Sequence, residues 1–496
     1  MSGAYFDEIY YPRTAYEFIH HMSVYEWTHP PLGKVLMGIG ISIFGMVPFG
    51  WRFIGTLFGV FMVAAMYFLA KRVLKYRWLT VVTCLLFTFD FMHLSQTRLA
   101  TIDTYVTFFI ILMYYYMYKY CKQTFYDTPL AKTFIPLGLS GIFFGLSVAS
   151  KWTGLYAGAG LAVIFFITLY ERYREYKYAC LSPDGESNGI SHRYVIESFR
   201  KNTVKTLIYC VVMFVIIPFV IYTLSYIPFR KTPGADSFGI VFRNAVDMLR
   251  YHGKTVVDAT HPYSSHWFEW PIIYKPIWYF SNTLDNGLKQ GISSFGNPAV
   301  WWVGIGAIAF NFAISLVIPL RNKKYFGKNK YLFSGVFGII LALLCVISYI
   351  AGSRNESLER LFPCMLLYSV VILGMNVLVT ANDCWFKKVS ARTSAFFSIG
   401  FLAGFLPWTL VIRTTFIYHY FTCVPFMVMM IGYAIKILYD NADNKKAVII
   451  GSIVYVIIAI VLFIMFYPVL TGQPVSYEYV KNWLKWFETW VLVSSK

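Results

Sequence analysis

The chain has 496 residues, is 58% hydrophobic and 20% aromatic, and carries only 14% charged residues with a mean hydropathy of +0.56. Soluble domains carry about 25% charged residues, so composition excludes a soluble globular protein and predicts a polytopic membrane protein. The net charge of +19 sits in short loops between apolar runs and not in a separate basic domain, which argues against nucleic acid as a partner and fits the basic cytoplasmic loops of a membrane protein.

The chain opens on a polar, acid-bearing stretch, FDEIYYPRTAYEFIHHMSVYEWTHPPLGK (6–34). Asp7 and Glu8 are adjacent carboxylates. An amphipathic run with Glu17, His20, His21 and Glu26 follows, and then the rigid turn His29-Pro30-Pro31-Leu32-Gly33-Lys34. A loop of this kind tied to apolar helices points to a reaction at the membrane surface, with the bundle holding a lipid-linked reactant. The plainer alternative is that both acids lie in a solvated tail.

Apolar runs of about the length of a spanning helix follow near 52–70, 78–96, 104–118, 134–150, 154–170, 206–226, 299–319, 331–351, 361–380, 394–412, 416–438 and 447–467. Lys and Arg gather at 71–77, 119–133, 171–205, 321–330, 387–392 and Lys445-Lys446. These segments alternate with poorer ones, which places them in the cytoplasm. The division that results is a first outer loop (1–51), an N-terminal bundle (52–226), a large outer loop (227–298), a C-terminal bundle (299–467) and an outer amphipathic tail (468–496).

In the large loop, GIVFRNAVDMLRYH has apolar residues at helical spacing and predicts a helix lying on the membrane. HPYSSHWFEWP (261–271) is too rich in aromatic residues for a plain linker, and its Trp267 and Trp270 suit either a binding groove or interface anchoring. The tail YEYVKNWLKWFETWVLV (477–493) predicts a second interfacial helix. The eight Cys (84, 121, 180, 210, 345, 364, 384, 423) are scattered, with no His partner at metal-ligand spacing, so neither a disulfide framework nor a metal site is expected. No cleavable leader is legible in the first residues.

Several ionisable residues stand where burial is expensive. Arg98 and Asp103, in QTRLATID at an outer turn, are placed either to pair with each other or to leave Arg98 holding a phosphate, which a guanidinium fork suits. Asp90 and His93, in LLFTFDFMHL, are one helical step apart and predict a hydrogen-bonded pair or a secondary site. Arg413 with His419, in RTTFIYHYF, repeats the pattern at the outer end of a later helix, as an anchor or as part of an anion site. His29, held between Thr28 and two prolines, reads as a structural hydrogen bonder or a site residue. The motifs of metalloproteases, serine hydrolases and P-loop NTPases are missing from any suitable context, so ATP is not expected as the energy source.

Taken together, FDEIYYPRTAYE, HPPLGK, PFGWRFIGTLFGV, QTRLATID, SKWTGLY, HPYSSHWFEWP, GNPAVWW and RTTFIYHYF, in this order and each at an outer loop, resemble the protein O-mannosyltransferases. The resemblance runs through nearly the whole chain. It implies an all-α GT-C glycosyltransferase fold with about 11–13 transmembrane helices in the cell membrane and an active site on the extracytoplasmic face. The implied reaction is inverting transfer of mannose from polyprenyl or dolichyl phosphate mannose to Ser or Thr of secreted or membrane polypeptides. No nucleotide sugar, metal or cofactor takes part. Membrane lipid and the protein translocon are the implied surroundings.

The resemblance also implies roles. Asp7 matches the base that deprotonates the acceptor hydroxyl, Glu8 helps to hold the acceptor, and Arg98 holds the lipid phosphate. Arg413 and His419 are expected to complete the phosphate site. His29, Lys34, His261, Trp267 and Trp270 are expected to border the acceptor groove. The large outer loop has no room for the β-trefoil MIR domain of eukaryotic members, so a prokaryotic form is expected. Family members carry a helix ahead of the acidic loop, so an apolar segment of about 20 residues is expected upstream of Asp7. Competing readings are a sister GT-C transferase that moves another lipid-linked sugar onto a lipid or wall polymer, and a transporter of polyprenyl-linked sugar. The latter would need polar groups near the membrane midplane.

Overall fold

The computed structural model describes residues 3–235, 237–257, 259–321, 330–382 and 389–494. Residues 322–329 and 387–388 of the expected basic loops, and Cys384, lie outside them. The apolar runs read from the sequence fall largely within helix, although 78–96 is interrupted and 394–412 runs past its helix at Val411 and Ile412. Among the described residues ten helices are long and apolar enough to cross a membrane, from Pro48–Leu74 to Lys445–Thr471, and eleven if one bent pair counts as a single span. The helix Ile102–Cys121 has 20 residues but is rich in tyrosine, which lowers its hydropathy. It lies buried at the centre, packed against Pro48–Leu74, Leu130–Ser150 and Thr153–Leu181. A second group gathers around Pro298–Arg321, which packs on Leu361–Ala381, Ala391–Phe405 and Val424–Asn441.

The run expected at 78–96 is broken. Helices Arg77–Thr88 and Phe91–Arg98 meet at 58°, and Asp90 is the cause. Its Oδ1 accepts from the backbone N–H of Met92 at 3.1 Å and of His93 at 3.3 Å, so it caps a new helix in the middle of an apolar run. Its Oδ2 accepts from Asn297 N at 3.1 Å and Trp301 Nε1 at 2.9 Å. The expected side-chain pair with His93 does not form, because the cap turns the imidazole away and its Nε2 meets Gly59 O at 3.2 Å.

Within the segment read as the first outer loop, LGKVLMGIGISIF forms an apolar helix, Leu32–Phe44, too short to cross a membrane. It lies backbone to backbone on Pro48–Leu74, because a Cβ on Gly40 would come 2.3 Å from Gly50 O, and one on Gly50 2.2 Å from Gly45 O. This close approach carries the acidic loop over the end of the bundle.

The large outer loop contains the expected helix, Gly239–Arg250, with Val241, Asn244 and Met248 buried. It also contains an antiparallel hairpin, Ile277–Thr283 with Lys289–Ser294, in the register Ile277↔Ser294 to Thr283↔Lys289. A small second hairpin pairs Glu186–Ser187 with Ile190–Ser191, so the helical fold carries two short β additions. The tail differs from the expected interfacial helix. It turns once at Tyr477–Tyr479 and again at Val480–Leu484, then runs irregularly. Trp490 and Leu492 are buried in the core, which a helix with one apolar face on the membrane could not achieve. Trp490 Nε1 donates to Ile273 O at 2.8 Å, and Ser494 N to Ser281 Oγ at 3.0 Å, so the tail backs the larger hairpin.

Replacing Asp90 by Ala removes the helix cap and orphans the buried Trp301 and Asn297 donors. It should lower stability by about 2–4 kcal/mol, read as a fall in unfolding temperature in detergent. Unchanged unfolding would show that the bend does not depend on the carboxylate.

Candidate active site

The site begins with two neighbouring carboxylates in opposite situations. Phe6–Ile9 forms a single 3-10 turn, entered through Phe6 at φ +51°. Glu8 is buried and saturated. Arg52 Nε donates to its Oε1 at 2.7 Å and Arg52 Nη2 to its Oε2 at 2.5 Å. Ala100 N adds a bond to Oε1 at 2.9 Å, and Tyr5 N one to Oε2 at 3.1 Å. Its expected role of touching the acceptor is therefore corrected: no lone pair is left for a substrate, and the residue bolts the loop to the Pro48–Leu74 helix and to the turn after Arg98.

Asp7 keeps part of its surface accessible and receives no hydrogen bond on its carboxylate among the described residues. Its depth in the protein pushes its pKa up to about 7; Lys151 opposes the rise, and the carboxylates of Asp103 and Glu26 add to it. An unbonded carboxylate poised near neutrality is the form of group that accepts a proton at physiological pH.

The surrounding charges are fixed in pairs. Lys151 Nζ donates to both oxygens of Asp103 at 2.8 Å, with both residues buried. The expected Arg98–Asp103 pair does not form, since Asp103, in the first turn of its helix, faces the end of Leu130–Ser150, where Lys151 stands. Lys151 was legible in SKWTGLY as an outer residue, but not its partner. Glu26 is the second knot. Its Oε2 accepts from Lys34 Nζ at 2.5 Å, and its Oε1 meets His29 Nδ1 at 3.1 Å. Lys34 Nζ also donates to Glu26 O and His29 O, each at 2.9 Å. Burial works to raise Glu26, but Lys34 and His29 outweigh it and hold its carboxyl well below the usual range. Lys34 is fully enclosed with all three donors engaged, so its expected contact with an acceptor is corrected to pinning the HPPLGK turn. Burial likewise holds His29 below its usual value against the pull of Glu26. The ring of His29 meets that of His252 at 5.4 Å.

Arg98, released from Asp103, has its Nη1 buried without a hydrogen-bond partner. It stands two residues before Ala100, whose N–H is bonded to the residue after Asp7. Arg413 donates to Thr414 O at 3.2 Å and has no carboxylate partner among the described residues. His419 is buried, its Nδ1 engaged with Phe416 N at 3.1 Å and its ring stacked on Tyr418 at 4.5 Å. One imidazole nitrogen thus remains for any anion.

Aromatic rings close the other side. Phe6 lies 5.0 Å from Tyr279 on the hairpin, 6.0 Å from His261, 5.8 Å from Phe416 and 6.2 Å from Tyr418. His261 is therefore brought to the acidic loop. Trp270 is not: it is 0% exposed, and its Nε1 donates to Ser265 Oγ at 3.1 Å. Its expected place on the acceptor groove is corrected to a core position. Trp267 is half-buried, edge-on to Phe405 at 5.7 Å. Tyr11 and Tyr279, which the sequence did not single out, have phenols pushed far up by burial and then by the charge of Asp7. Among the described residues no three His, Cys, Asp or Glu side chains gather to hold a metal ion.

Residues 42–232 match the family model described as dolichyl-phosphate-mannose-protein mannosyltransferase. Residues 241–350 and 326–490 match the C-terminal four-transmembrane region of protein O-mannosyltransferases. The polyprenol-phosphate-mannose–protein mannosyltransferase of Corynebacterium glutamicum is 23% identical, with 93% of this chain and 81% of that protein covered. Its namesake from Mycolicibacterium smegmatis is 22% identical, over 98% and 87%. The Saccharomyces cerevisiae protein O-mannosyltransferase Pmt1-Pmt2 complex bound to the sugar donor superposes with a TM-score of 0.66 at 13% identity, covering 98% of this chain and 89% of that one.

The raised pKa of Asp7 has a thermodynamic signature. Between its ordinary value of 3.8 and about 7 the folded chain binds more protons there than the unfolded one. Stability is therefore lost as pH rises through this window. The Asp7→Asn protein should unfold at a higher temperature than the wild type at pH 8, with the gap closing toward pH 4. A gap that does not change with pH would place the Asp7 pKa near its ordinary value.

Proposed function

Since the chain belongs to the dolichyl-phosphate-mannose-protein mannosyltransferase family, we propose that it transfers mannose from polyprenyl phosphate mannose to Ser or Thr hydroxyls of translocated polypeptides, with inversion. It is a multi-pass membrane glycosyltransferase of the GT-C fold. The observation that carries the reading of the site is Asp7: a part-exposed carboxylate, pushed to about 7 and without a hydrogen bond, on a loop that its neighbour Glu8 bolts to the turn after Arg98.

The acceptor oxygen attacks the anomeric carbon as the bond from that carbon to the phosphate oxygen breaks. The hydroxyl proton passes to an Asp7 oxygen, and the bond's electron pair leaves with polyprenyl phosphate. A neutral alcohol is a poor nucleophile, so a base in contact with it is required. The departing phosphate gains charge as the step proceeds and needs fixed positive charge. Arg98, with a buried donor left over, is assigned to it, and Arg413 and His419 to the same anion. A single base on the attacking face gives inversion without a covalent intermediate, by analogy with inverting glycosidases. The lipid-linked sugar is itself the activated donor, so the reaction calls for no metal or cofactor. The alternation of basic loops supports a plasma membrane location with the site on the outer face, beside the translocon and among membrane lipids.

The test is incubation of the full chain in membranes with labelled polyprenyl phosphate mannose and a Ser/Thr-rich peptide, followed by mass spectrometry of the peptide. Asp7→Asn should lower kcat by roughly 10²–10⁴ while donor binding is kept. Arg98→Ala should weaken donor binding and slow the step, and Arg98→Lys should restore only part, because it keeps the charge and loses the fork. An Asp7→Asn enzyme turning over at the wild-type rate would remove the base assignment. Unchanged donor affinity in Arg98→Ala would remove the phosphate assignment.

The wild-type rate should also rise with pH through about 7 as Asp7 ionises. Lys151→Met should move that rise to higher pH, since Lys151 is the charge that lowers Asp7. A pH–rate profile for the two proteins checks both.

A further inference from the structure

At the end of the bundle opposite Asp7 lies a cavity of about 680 Å³. The Pro48–Leu74 helix relates the two places. Arg52, near its start, reaches Glu8 beside Asp7, whereas Lys71 and Arg72 are in its last turn. At 1.5 Å per residue this interval spans about 30 Å, the thickness of a bilayer's hydrocarbon core.

Cations from three helices converge on this cavity. Lys71, Arg72 and the helix cap Lys75 come from the first, Lys122 from the end of Ile102–Cys121, and Lys436 from Val424–Asn441. Nearby carboxylates are already engaged: Asp440 pairs with Lys436, and Glu171 pairs with Arg392 at 2.7 Å. Among the described residues Lys71, Arg72, Lys75 and Lys122 have no carboxylate partner. Cations at helix C-termini complement the macrodipole, and basic loops favour the cytoplasm. Neither effect accounts for side chains from separate helices being gathered around one hollow against their own repulsion.

That repulsion is felt. Burial, with the charges of Arg392 and Lys75 nearby, holds the Lys122 ammonium below its usual value, and a bound anion would relieve it. The same hollow is lined by Ser390 and Thr393, whose cap bond opens the Ala391–Phe405 helix, so that helix adds its N-terminal N–H groups to the positive field.

We propose that this cavity binds the phosphodiester headgroup of an anionic membrane lipid in the leaflet opposite the transfer site. A lipid suits it better than a soluble phosphate because the basic hollow runs into apolar surface. Phe68, on its wall, is 55% exposed on the flank of the Pro48–Leu74 span, where an acyl chain would lie. The headgroup then bridges the ends of three helices that otherwise repel.

The experiment uses the purified full chain in neutral detergent. It is titrated with phosphatidylglycerol or with phosphatidylcholine of the same acyl chains, and bound lipid is read by native mass spectrometry. At least a tenfold preference for phosphatidylglycerol is expected. The preference should vanish in a Lys71→Gln/Arg72→Gln/Lys122→Gln protein and persist in Lys71→Arg/Lys122→Arg, which keeps the charge. Inorganic phosphate at the same concentration should not displace the lipid.

Equal retention of the two lipids by the wild type would overturn the proposal, as would undiminished phosphatidylglycerol binding in the triple variant. Displacement by equimolar phosphate would overturn the lipid assignment and leave a site for a soluble anion. The headgroup comparison is made on the wild type, so it decides the matter even if the triple variant does not fold.

Discussion

The fork between Glu8 and Arg52 is the contact on which the rest of the site depends. A carboxylate buried without partners would cost several kcal/mol. Glu8 instead receives four donors, two of them from a guanidinium whose planar geometry matches its own. Because those donors come from the Pro48–Leu74 helix, the loop backbone and the turn after Arg98, the bond fixes the loop's position on the bundle. Its neighbour Asp7 gets no such donors. Two adjacent residues of the same chemistry thereby meet opposite surroundings, one held by four donors, the other left near the pH at which it can gain or lose a proton.

Around Asp7 the remaining charges are immobile. Asp103 is neutralised by Lys151, and Glu26 by Lys34 with His29. Buried pairs of this sort contribute little net stability, since desolvation offsets much of their attraction. Their value here is directional. Charges that cannot reorient exert a constant field on the Asp7 carboxylate, and a preorganised field needs no rearrangement.

How much of this could be read from the chain depended on the distance over which each feature is decided. Spanning helices are decided by local composition, and the apolar runs from 52–70 to 447–467 lie largely in helix, with the break at Asp90 as the exception that composition did not show. Arg98 stood out because an ionisable group beside an apolar run is conspicuous, and Asp7 as one of two adjacent acids in a polar stretch, while a role for either came only from the family resemblance. Leu32–Phe44 was missed because it is short and carries in its first turn a lysine, Lys34, whose partners come only with the folded HPPLGK turn. The hairpin carried a signal that went unused, the Asp285-Asn286-Gly287 turn between β-rich runs, with Gly287 at φ +79°. The Asp103–Lys151 pair had no local signal at all, since its partners lie 48 residues apart and meet only when two helices have packed. Trp270 was misplaced for a similar reason: an aromatic loop reads as surface until the residues that cover it, Trp408 and His419, arrive from far along the chain.

The tail lends the fold an order in time. Tyr279, beside the acidic loop, stands on a hairpin that is backed by Trp490, Leu492 and Ser494. A chain made from its N-terminus presents the acidic loop before these residues. The wall that faces Asp7 is therefore completed only after the intervening helices have been made. Until then the Asp7 carboxylate belongs to an open, unfinished site, and the pocket around it closes only when those residues arrive.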